Sequence, residues 1–313
     1  MSAYKLRIGM LRLLDSAPVL IARDRGFFAA AGLDASVVIE PSWANIADKL
    51  AYGMLDAAVM LGPLALAMSL GLRGRATGLR LAATLSRNGN AIVLANHLAG
   101  RADLAAAIGA APFAVVHAYS NHDLLLRDWL TARGVSPAAA AIVTLPPGDM
   151  QTALGRGSIA GFCAGAPWGA RAARDGAGTL VATSAAIAPG HPEKLVVIRD
   201  EVAAANPMLA AALRDALGAA TALCHLPAER AGLAAGLASP SHLDLPAELL
   251  ADCLSGEGGD PLFMRGAELR PARADLQWTI ARMHCAGHLV GIDLAVAERS
   301  LLRPVGEDGS TYD

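Results

Sequence analysis

The chain has 313 residues, of which 54% are hydrophobic and 17% are charged, and its formal net charge at pH 7 is −2. This length is enough for two domains of ordinary size, and the apolar content is enough for a large core. The small and nearly balanced charge excludes a polybasic nucleic-acid-binding protein or membrane anchor.

Residues 1–88 alternate between predicted strands, at "KLRIGML", "ASVVIE" and "LDAAVML", and predicted helices. The helices have apolar residues at helical spacing and lie at "SAPVLIARDRGFFAAAGL", "SWANIADKLAYG" and "PLALAMSLGL". Ser16 and Ser42 are the predicted N-caps of the first two helices. Gly32 and Gly53 are predicted to end them. This order is typical of a parallel sheet that is covered by helices on both faces.

A second α/β unit begins near Asn90. Five strands are predicted at "NAIVLAN", "APFAVVHA", "AAIVTL", "IAGFCAG" and "AGTLVATS", with helices at "NHDLLLRDWLTARG", "PPGDMQTALGRG" and "APWGARAARDG". One more strand, "KLVVIRDE", begins at Lys194, and the rest of the chain is predicted to be helical. This order predicts two lobes, each a mainly parallel sheet flanked by helices, with a ligand cleft between them. Lobe I comprises residues 1–88 and 191–313, and lobe II, residues 89–190, is inserted into it.

Lys194 lies at the predicted return crossover from lobe II to lobe I. Ligands in open α/β sheets bind beyond the carboxyl ends of the strands, so two facing sheet edges would enclose a small ligand. A single lysine is most often a surface residue. At this crossover, however, the lysine would place a positive charge in the cleft.

Neither the cysteines nor the histidines indicate a metal site. The four cysteines form no CxxC pair and match no zinc-site spacing. We expect reduced core residues at Cys163, Cys224, Cys253 and Cys285. His284 and His288 have the i, i+4 spacing of metal ligands on one predicted helix, but they lack the HExxH glutamate and a third ligand. We therefore predict no metal there.

The chain carries no recognisable catalytic or nucleotide-binding motif. It has no nucleophile elbow, no Walker A loop and no GxGxxG after the first strand, where the turn reads "MLRLLDSAP". We therefore predict a binding protein that has no enzymatic activity and no cofactor.

The first residues, "MSAYKLRIGMLRLLDSAPVL", enter a predicted strand almost at once. They contain no basic segment followed by an apolar stretch and a cleavage site, so we expect a cytoplasmic protein. Removal of a leader would leave the same sequence, and the alternative is then a periplasmic or membrane-associated protein. No apolar run approaches the roughly 18 to 20 residues of a spanning helix, so we expect a soluble protein without membrane insertion.

Six segments resemble, in the same order along the chain, the nitrate- and bicarbonate-binding proteins of ABC transporters. They are "PSWANIADKLAYGMLDAAVMLGPLALAMSLGL", "SRNGNAIVLAN", "SNHDLLLRDWL", "LPPGDMQTALGRGSIAGFCAGAPW", "GHPEK" and "QWTIARMHCAGHL". The third and fourth segments are the more specific, and the resemblance extends from residue 5 to about residue 290, which is nearly the whole chain. The resemblance implies a type II periplasmic-binding-protein fold, in agreement with the two predicted lobes.

The resemblance also implies an anion site. Its ligand-binding residues are Trp43, Gly89, Asn90, His122 and Lys194. The family often has glutamine where this chain has Asn90, and glutamate where it has Ala166, which puts in doubt any role for a carboxylate at Ala166. Taken singly, these side chains have ordinary interpretations, as a packing tryptophan, a turn asparagine, a helix-cap histidine and a surface lysine.

These residue types suit a small planar oxyanion such as nitrate or nitrite. A lysine ammonium supplies a point charge and up to three donors. His122, at the start of a predicted helix, would add a ring donor at the positive end of the helix dipole. The Asn90 amide can donate, and a tryptophan face excludes water. We expect Lys194 to face His122 across the cleft, close enough for one anion to touch both, while His117 is predicted to be a structural or supporting residue.

Two functions remain open. The first is a cytoplasmic nitrate or nitrite sensor that regulates nitrate assimilation, because the chain resembles the leaderless sensor branch of the family, whose partner is an RNA-binding antiterminator. The second is the substrate-binding component of a nitrate or bicarbonate ABC transporter, whose partner is a membrane permease. Bicarbonate is the less expected ligand, because no carboxylate-rich calcium site is evident. An enzyme of the pyrimidine-precursor type, which shares this fold, is a remote third hypothesis. We expect no direct binding of nucleic acid.

Overall fold

The fold is described by a computed structural model that covers residues 3–108, 111–136, 140–257 and 260–301. The strands in these ranges are β1 (Tyr4–Met10), β2 (Leu33–Ile39), β3 (Ala57–Leu61), β4 (Leu79–Arg87), β5 (Asn90–Leu94), β6 (Phe113–Val115), β7 (Ile142–Thr144), β8 (Gly161–Gly165), β9 (Thr179–Thr183), β10 (Pro192–Arg199) and β11 (Leu262–Phe263).

The helices connect these strands and form the C-terminal part of the chain. They are α1 (Ala17–Asp24), α2 (Phe27–Ala30), α3 (Trp43–Ala51), α4 (Gly62–Ser69), α5 (Leu104–Ala107), α6 (Asn121–Thr131), α7 (Pro147–Gly155), α8 (Trp168–Arg174), α9 (Ser184–Ile187), α10 (Asp200–Ala205), α11 (Leu209–Cys224), α12 (Pro227–Leu237), α13 (Ala247–Cys253), α14 (Arg273–Cys285) and α15 (Leu294–Leu301). Short 3-10 helices occupy Leu14–Ser16 and Gly266–Leu269.

The strands form two sheets, as the order of predicted elements indicated. The first sheet has the strand order β11-β4-β10-β3-β1-β2, and the second has the order β7-β6-β8-β5-β9. The first sheet therefore takes strands from both ends of the chain, whereas the second takes all of its strands from the middle. The division into lobe I, residues 1–88 and 191–313, and lobe II, residues 89–190, stays a proposal that this strand assignment supports.

The directions of the strands differ from the mainly parallel sheets that we predicted. In the first sheet, β1 runs parallel to β2 and β3, but β10 runs antiparallel to β3 and β4. In the second sheet, β6 runs parallel to β7 and β8, but β5 runs antiparallel to β8 and β9. Both sheets are mixed, because β5 and β10 each arrive from the other sheet. A helical crossover within one sheet would have made them parallel to their neighbours.

The first predicted helix is interrupted. It begins as the 3-10 turn Leu14–Ser16, continues as α1 and stops before α2 at Gly26, which has a φ of 73°. A left-handed residue cannot continue a right-handed helix, and glycine adopts this conformation without strain. Ser16 is the N-cap residue of α1, as predicted, but its hydroxyl makes no capping hydrogen bond. The Ser42 cap of α3 is confirmed, since the Ser42 hydroxyl accepts from Asn45 N at 3.2 Å.

Apolar side chains fill the space between the sheets and the helices. β3 and β8 are buried along their whole length, as expected for strands in the interior of a sheet. Cys163, Cys224 and Cys253 are buried, as predicted, but Cys285 is exposed. Cys285 is the last residue of α14, and its side chain lies on the solvent side of that helix end. The prediction that it is a core residue is therefore wrong.

The described helices were compared with the length and apolar character that a membrane span requires. No single one of them meets both requirements. Only α11 and α12 taken together do so, and the two are bent by 109° at the break between them.

The chain crosses between the sheets twice, and the two crossovers are bonded to each other. Asn88 and Gly89, between β4 and β5, both have a positive φ, of 57° and 88°. Asn88 donates its backbone N–H to His191 O at 3.1 Å and accepts from Gly190 N at 2.9 Å through Oδ1. These bonds hold the start of β10 beside the start of β5.

Gly89→Ala should destabilise the protein. A Cβ at residue 89 would lie 2.8 Å from Pro261 Cγ and 3.1 Å from Pro261 Cα, in addition to the strain of a φ of 88°. Gly100→Ala is the matched control, because Gly100 has a φ of 75° and no described atom lies within 4 Å of its Cβ position. We expect Gly89→Ala to lose about 1–3 kcal/mol more than Gly100→Ala in urea unfolding. Equal losses of unfolding free energy in the two variants would show that Pro261 moves away from the added methyl group at no cost in stability.

Candidate functional site

Lys194 is fully buried in the middle of the first sheet. It lies in β10, where it pairs with Leu61 of β3 and Ser86 of β4. Its ammonium nitrogen lies 2.7 Å from Asp15 Oδ2 and 2.5 Å from Glu193 Oε1. The lysine is thus not a surface charge, and it is held between two carboxylates.

Glu193 and Lys194 both enter the same buried region, although they are neighbours in a strand. Successive side chains of a regular strand point to opposite faces of the sheet. The register between β10 and β4 shifts on both sides of Lys194, between Pro192 and Lys194 and again between Lys194 and Leu195. A shift of this kind re-aims side chains, which explains how both charged groups reach one site.

The Glu193 carboxylate connects the first sheet to the second. Its Oε2 accepts hydrogen bonds from Asn90 Nδ2 at 2.6 Å and from Asn121 Nδ2 at 2.9 Å. Its Oε1 lies 3.9 Å from His122 Nε2. Asn90 is the first residue of β5, and Asn121 and His122 are the first two residues of α6. The contacts therefore come from the first residue of β5, a strand of the second sheet, and from the first two residues of α6.

We call the group Asp15, Asn90, His122, Glu193 and Lys194 the central cluster; each of its side chains is buried. Three predicted site residues, Asn90, His122 and Lys194, belong to it. Trp43 adjoins the cluster, since the Lys194 ammonium lies 5.6 Å from the centre of its ring.

Gly89 is the predicted site residue that the structure does not bring to the central cluster. Its carbonyl accepts a hydrogen bond from Ala166 N at 2.7 Å. The Ala166 carbonyl in turn accepts from Leu14 N at 3.1 Å, which ties the turn after β1 to the second sheet. Gly89 thus acts through the backbone, by setting the position at which β5 begins with Asn90.

Two carboxylates, Asp15 and Glu193, are the charged members of the site that sequence reasoning missed. Asp15 follows β1 in the turn "MLRLLDSAP", at the carboxyl end of a strand where ligand-binding side chains are expected. That position was a usable signal. Glu193 gave none, because strand alternation predicts that a neighbour of Lys194 points away from it.

Asn121 and His191 complete the surroundings of Glu193. Besides its bond to Glu193, Asn121 Nδ2 donates to Pro192 O at 2.8 Å. His191 Nδ1 lies 3.7 Å from Glu193 Oε2, and its ring stacks on Trp278 with 5.4 Å between the ring centres. Both oxygens of the Glu193 carboxylate therefore lie beside polar groups of the protein.

The ionisation of the cluster follows from burial and from Lys194. Burial, the largest single influence, raises the pKa of the Glu193 carboxyl, but its neighbours, of which the Lys194 ammonium is the strongest, together outweigh burial and lower that pKa to about 2. For Asp15 burial prevails, and its pKa is raised. Burial lowers the pKa of His122 to about 3, so its ring is neutral near pH 7.

Several polar atoms around the cluster lack a hydrogen bond within the described part of the chain. They include the Trp43 indole nitrogen, both His122 ring nitrogens, Asp15 Oδ1 and Asn90 Oδ1. Leaving such buried groups unpaired costs free energy, on the order of 1–3 kcal/mol each. They indicate that the site is built to bond something besides its own side chains.

Gly165 provides the space at which these groups converge. It is the last residue of β8 and pairs with Asn90. A Cβ at residue 165 would lie 3.5 Å from Asn90 Oδ1 and from Asp15 Oδ2, and 3.6 Å from His122 Nε2. Because these are ordinary contact distances, the space holds a methyl group without a clash. Ala166, where the family often has glutamate, is mostly buried beside it and contributes no charge.

The remaining histidines lie outside the central cluster. His117 accepts a hydrogen bond from Tyr119 N at 3.0 Å through Nδ1, and burial lowers its pKa to about 4. α14 ends at Cys285, so His288 is not on the same helix as His284, which removes the i, i+4 geometry of the pair. His288 lies instead 3.6 Å from Asp123. Among the described residues, no three histidine, cysteine, aspartate or glutamate side chains are grouped to hold a metal ion.

Known proteins are similar to the chain over most of its length. The crystal structure of the periplasmic nitrate-binding protein NrtA from Synechocystis superposes with a TM-score of 0.86 at 25% identity, over 95% of this chain and 86% of that one. The nitrate/nitrite binding protein NrtA of Synechococcus elongatus is 31% identical over 287 residues, which are 84% of this chain and 65% of the relative.

A third relative is larger. The bicarbonate transport ATP-binding protein CmpC of Synechocystis is 34% identical over 301 residues, which are 89% of this chain. The chain spans only 45% of the length of that relative.

The two sheets, the double crossover and the buried polar cluster between them define a two-lobed protein of the periplasmic-binding-protein class, as predicted. The NMT1-like family matches residues 2–238, and the chain belongs to that family. The resemblance to nitrate- and bicarbonate-binding proteins is confirmed by the relatives.

His122 should make the protein less stable in acid. Its pKa is about 3 in the folded protein, against an ordinary value of 6.5, so between these values the unfolded chain binds a proton that the folded chain does not. Stability therefore falls as the pH decreases, by up to about 1.4 kcal/mol per pH unit. We expect His122→Gln to flatten the pH dependence of the unfolding free energy between about pH 6 and pH 4.

His97→Gln, at an exposed histidine, is the matched control and should keep the slope of the unsubstituted protein. Equal slopes for all three proteins would show that His122 binds a proton as readily in the folded protein as in the unfolded chain.

Proposed function

We propose that the chain binds a small planar oxyanion between its two sheets and does not convert it chemically. The observation that supports this most strongly is the Glu193 carboxylate, itself a planar oxyanion. It receives hydrogen bonds from Lys194, Asn90 and Asn121 in a site without solvent access. Donors arranged in this way fit nitrate, nitrite or bicarbonate equally well.

Further donors are available to a ligand. The Trp43 indole N–H is unpaired among the described residues, and a neutral His122 ring carries one N–H that is also unpaired. Lys194 has three donors, of which two face Asp15 and Glu193. Pairing these groups would remove the cost of leaving them unsatisfied.

The acceptors near Gly165 bear on the choice of anion. Nitrate and nitrite can only accept hydrogen bonds, whereas bicarbonate also has an O–H to donate. The Asp15 carboxylate and Asn90 Oδ1 border the space beside Gly165 and could accept that O–H. Bicarbonate is therefore tested alongside nitrate and nitrite, although the described part of the chain has no group of acidic side chains that could hold a metal ion.

We infer that the chain acts as the substrate-binding component of an ABC-type importer. Its relatives include proteins named as nitrate/nitrite-binding and as parts of bicarbonate transport, and the related structure is described as periplasmic. In this role the protein would pass the anion to a membrane permease, and it would be found in the periplasm or at the membrane. Binding without catalysis suits this task.

A sensor is the second candidate function. A segment like this chain makes up 45% of a relative named as a bicarbonate transport ATP-binding protein. A ligand-binding domain that is attached to a larger protein can signal anion binding to the part to which it is attached, which supports a sensing role for such a domain. In this role the chain would stay in the cytoplasm and hold an RNA-binding antiterminator, and the anion would favour the state that releases it.

The proposed site is tested by calorimetric titration of the purified protein with nitrate, nitrite and bicarbonate. We expect Gly165→Ala to fold normally but to bind the anion at least about tenfold more weakly, because the methyl group fills the space that the ligand needs. Gly155→Ala in α7 is the matched control, since no described atom lies within 4 Å of its Cβ position. It should bind like the unsubstituted protein.

The outcomes separate two failures. Absence of binding to all three anions contradicts the proposed function. Equal affinities of the unsubstituted protein and Gly165→Ala would place the ligand elsewhere in the molecule.

The transport and sensor functions predict different protein partners and different cellular compartments. Isolation of the chain with an RNA-binding protein that dissociates when nitrate is added supports the sensor. Recovery from the periplasmic fraction, or together with a permease, supports the transport component.

A further inference from the structure

The Glu193 carboxylate occupies the point at which the donors of the proposed anion site converge. Oε1 bonds to Lys194 Nζ at 2.5 Å, and Oε2 accepts from Asn90 Nδ2 at 2.6 Å and Asn121 Nδ2 at 2.9 Å. Two of these three donors belong to residues that sequence resemblance assigns to the ligand. The Glu193 carboxylate therefore pairs with three donors of the proposed anion site.

The same carboxylate joins the two halves of the molecule. Glu193 belongs to β10 of the first sheet. Asn90 belongs to β5 of the second sheet, and Asn121 belongs to helix α6. The carboxylate and both amides are buried, so no water can take over these hydrogen bonds while the halves stay together. Loss of the carboxylate would remove a charged link across the cleft.

A bound anion cannot simply be added to this arrangement. The cluster already has two carboxyl groups, Asp15 and Glu193, for one ammonium, and an oxyanion beside the Glu193 carboxylate would add a further negative charge next to one buried lysine. Burial makes such repulsion strong, because the protein interior screens charge poorly. The exogenous anion also needs the same Lys194 and Asn90 donors that Glu193 uses.

We propose that Glu193 is an internal substitute for the ligand: its carboxylate closes the cleft in the empty protein and gives up its bonds to Asn90 and Asn121 when an external oxyanion takes its place. This inference rests on the proposed function. It makes the closed form stable without ligand, and it makes ligand binding an exchange of one oxyanion for another. The affinity for the external anion is lowered accordingly, because the tethered carboxylate is always present.

The test uses Glu193→Ala, which removes the carboxylate and leaves room, and Glu193→Gln, which keeps the size of the side chain and removes the charge. Glu40→Gln is the matched control, because Glu40 is a buried carboxylate paired with Lys49 at 2.6 Å and lies outside the cluster. Calorimetry gives the affinity for nitrate and bicarbonate, and small-angle X-ray scattering gives the radius of gyration with and without the anion.

We expect both Glu193 variants to bind the anion at least tenfold more tightly than the unsubstituted protein and Glu40→Gln. The empty Glu193→Ala protein should have a larger radius of gyration than the empty unsubstituted protein, and the anion should make it compact again. If Glu193→Ala does not fold, Glu193→Gln alone provides the test. We then expect tighter anion binding by Glu193→Gln and a larger radius of gyration of this variant without the anion.

Unchanged or weaker anion binding by the variants, while the unsubstituted protein binds, overturns the inference and leaves the proposed function standing. An empty Glu193→Ala protein that is as compact as the unsubstituted one also overturns it. Absence of anion binding by every variant and by the unsubstituted protein contradicts the proposed function, and the inference fails with it.

Discussion

The charge of Lys194 is the constraint around which the boundary between the two sheets is built. An ammonium group without solvent access is stable only if opposite charges lie against it, and Asp15 and Glu193 meet that need at 2.7 Å and 2.5 Å. Removing one partner from a buried ion pair typically costs about 3–5 kcal/mol, because the remaining charge is left uncompensated. The positions of the turn after β1 and of β10 are therefore coupled through one lysine.

The rest of the site follows from this pairing. Lys194 holds Glu193, and Glu193 accepts hydrogen bonds from Asn90 and Asn121 of the second half of the molecule. These residues lie at the starts of β5 and α6, and the first is placed by the turn at Gly89. A charge in one sheet thus determines how the other sheet lies against it. An external oxyanion can use the same donors only if it displaces the Glu193 carboxylate from them.

Much of the architecture could be predicted from the sequence, because the pattern of apolar residues and turns is local. The alternation of strands and helices, the two sheets and the capped start of α3 at Ser42 follow from such patterns. Strand direction did not follow, since it depends on which sheet a strand enters. Asn90, His122 and Lys194 were brought together as the family resemblance implied. Asp15 and Glu193 were missed, since a register shift in β10 has no signature in composition or spacing.

The central claim is that Lys194 is buried, charged and bonded to two carboxylates. The chain has only three lysines, Lys5, Lys49 and Lys194, so nitrogen-15 labelling of lysine gives a simple spectrum. Lys5 is exposed and Lys49 partly so, and their ammonium protons exchange rapidly with water near neutral pH. The account predicts one ammonium signal at neutral pH that is protected from exchange and is absent in Lys194→Met. A spectrum without a protected ammonium signal would contradict it.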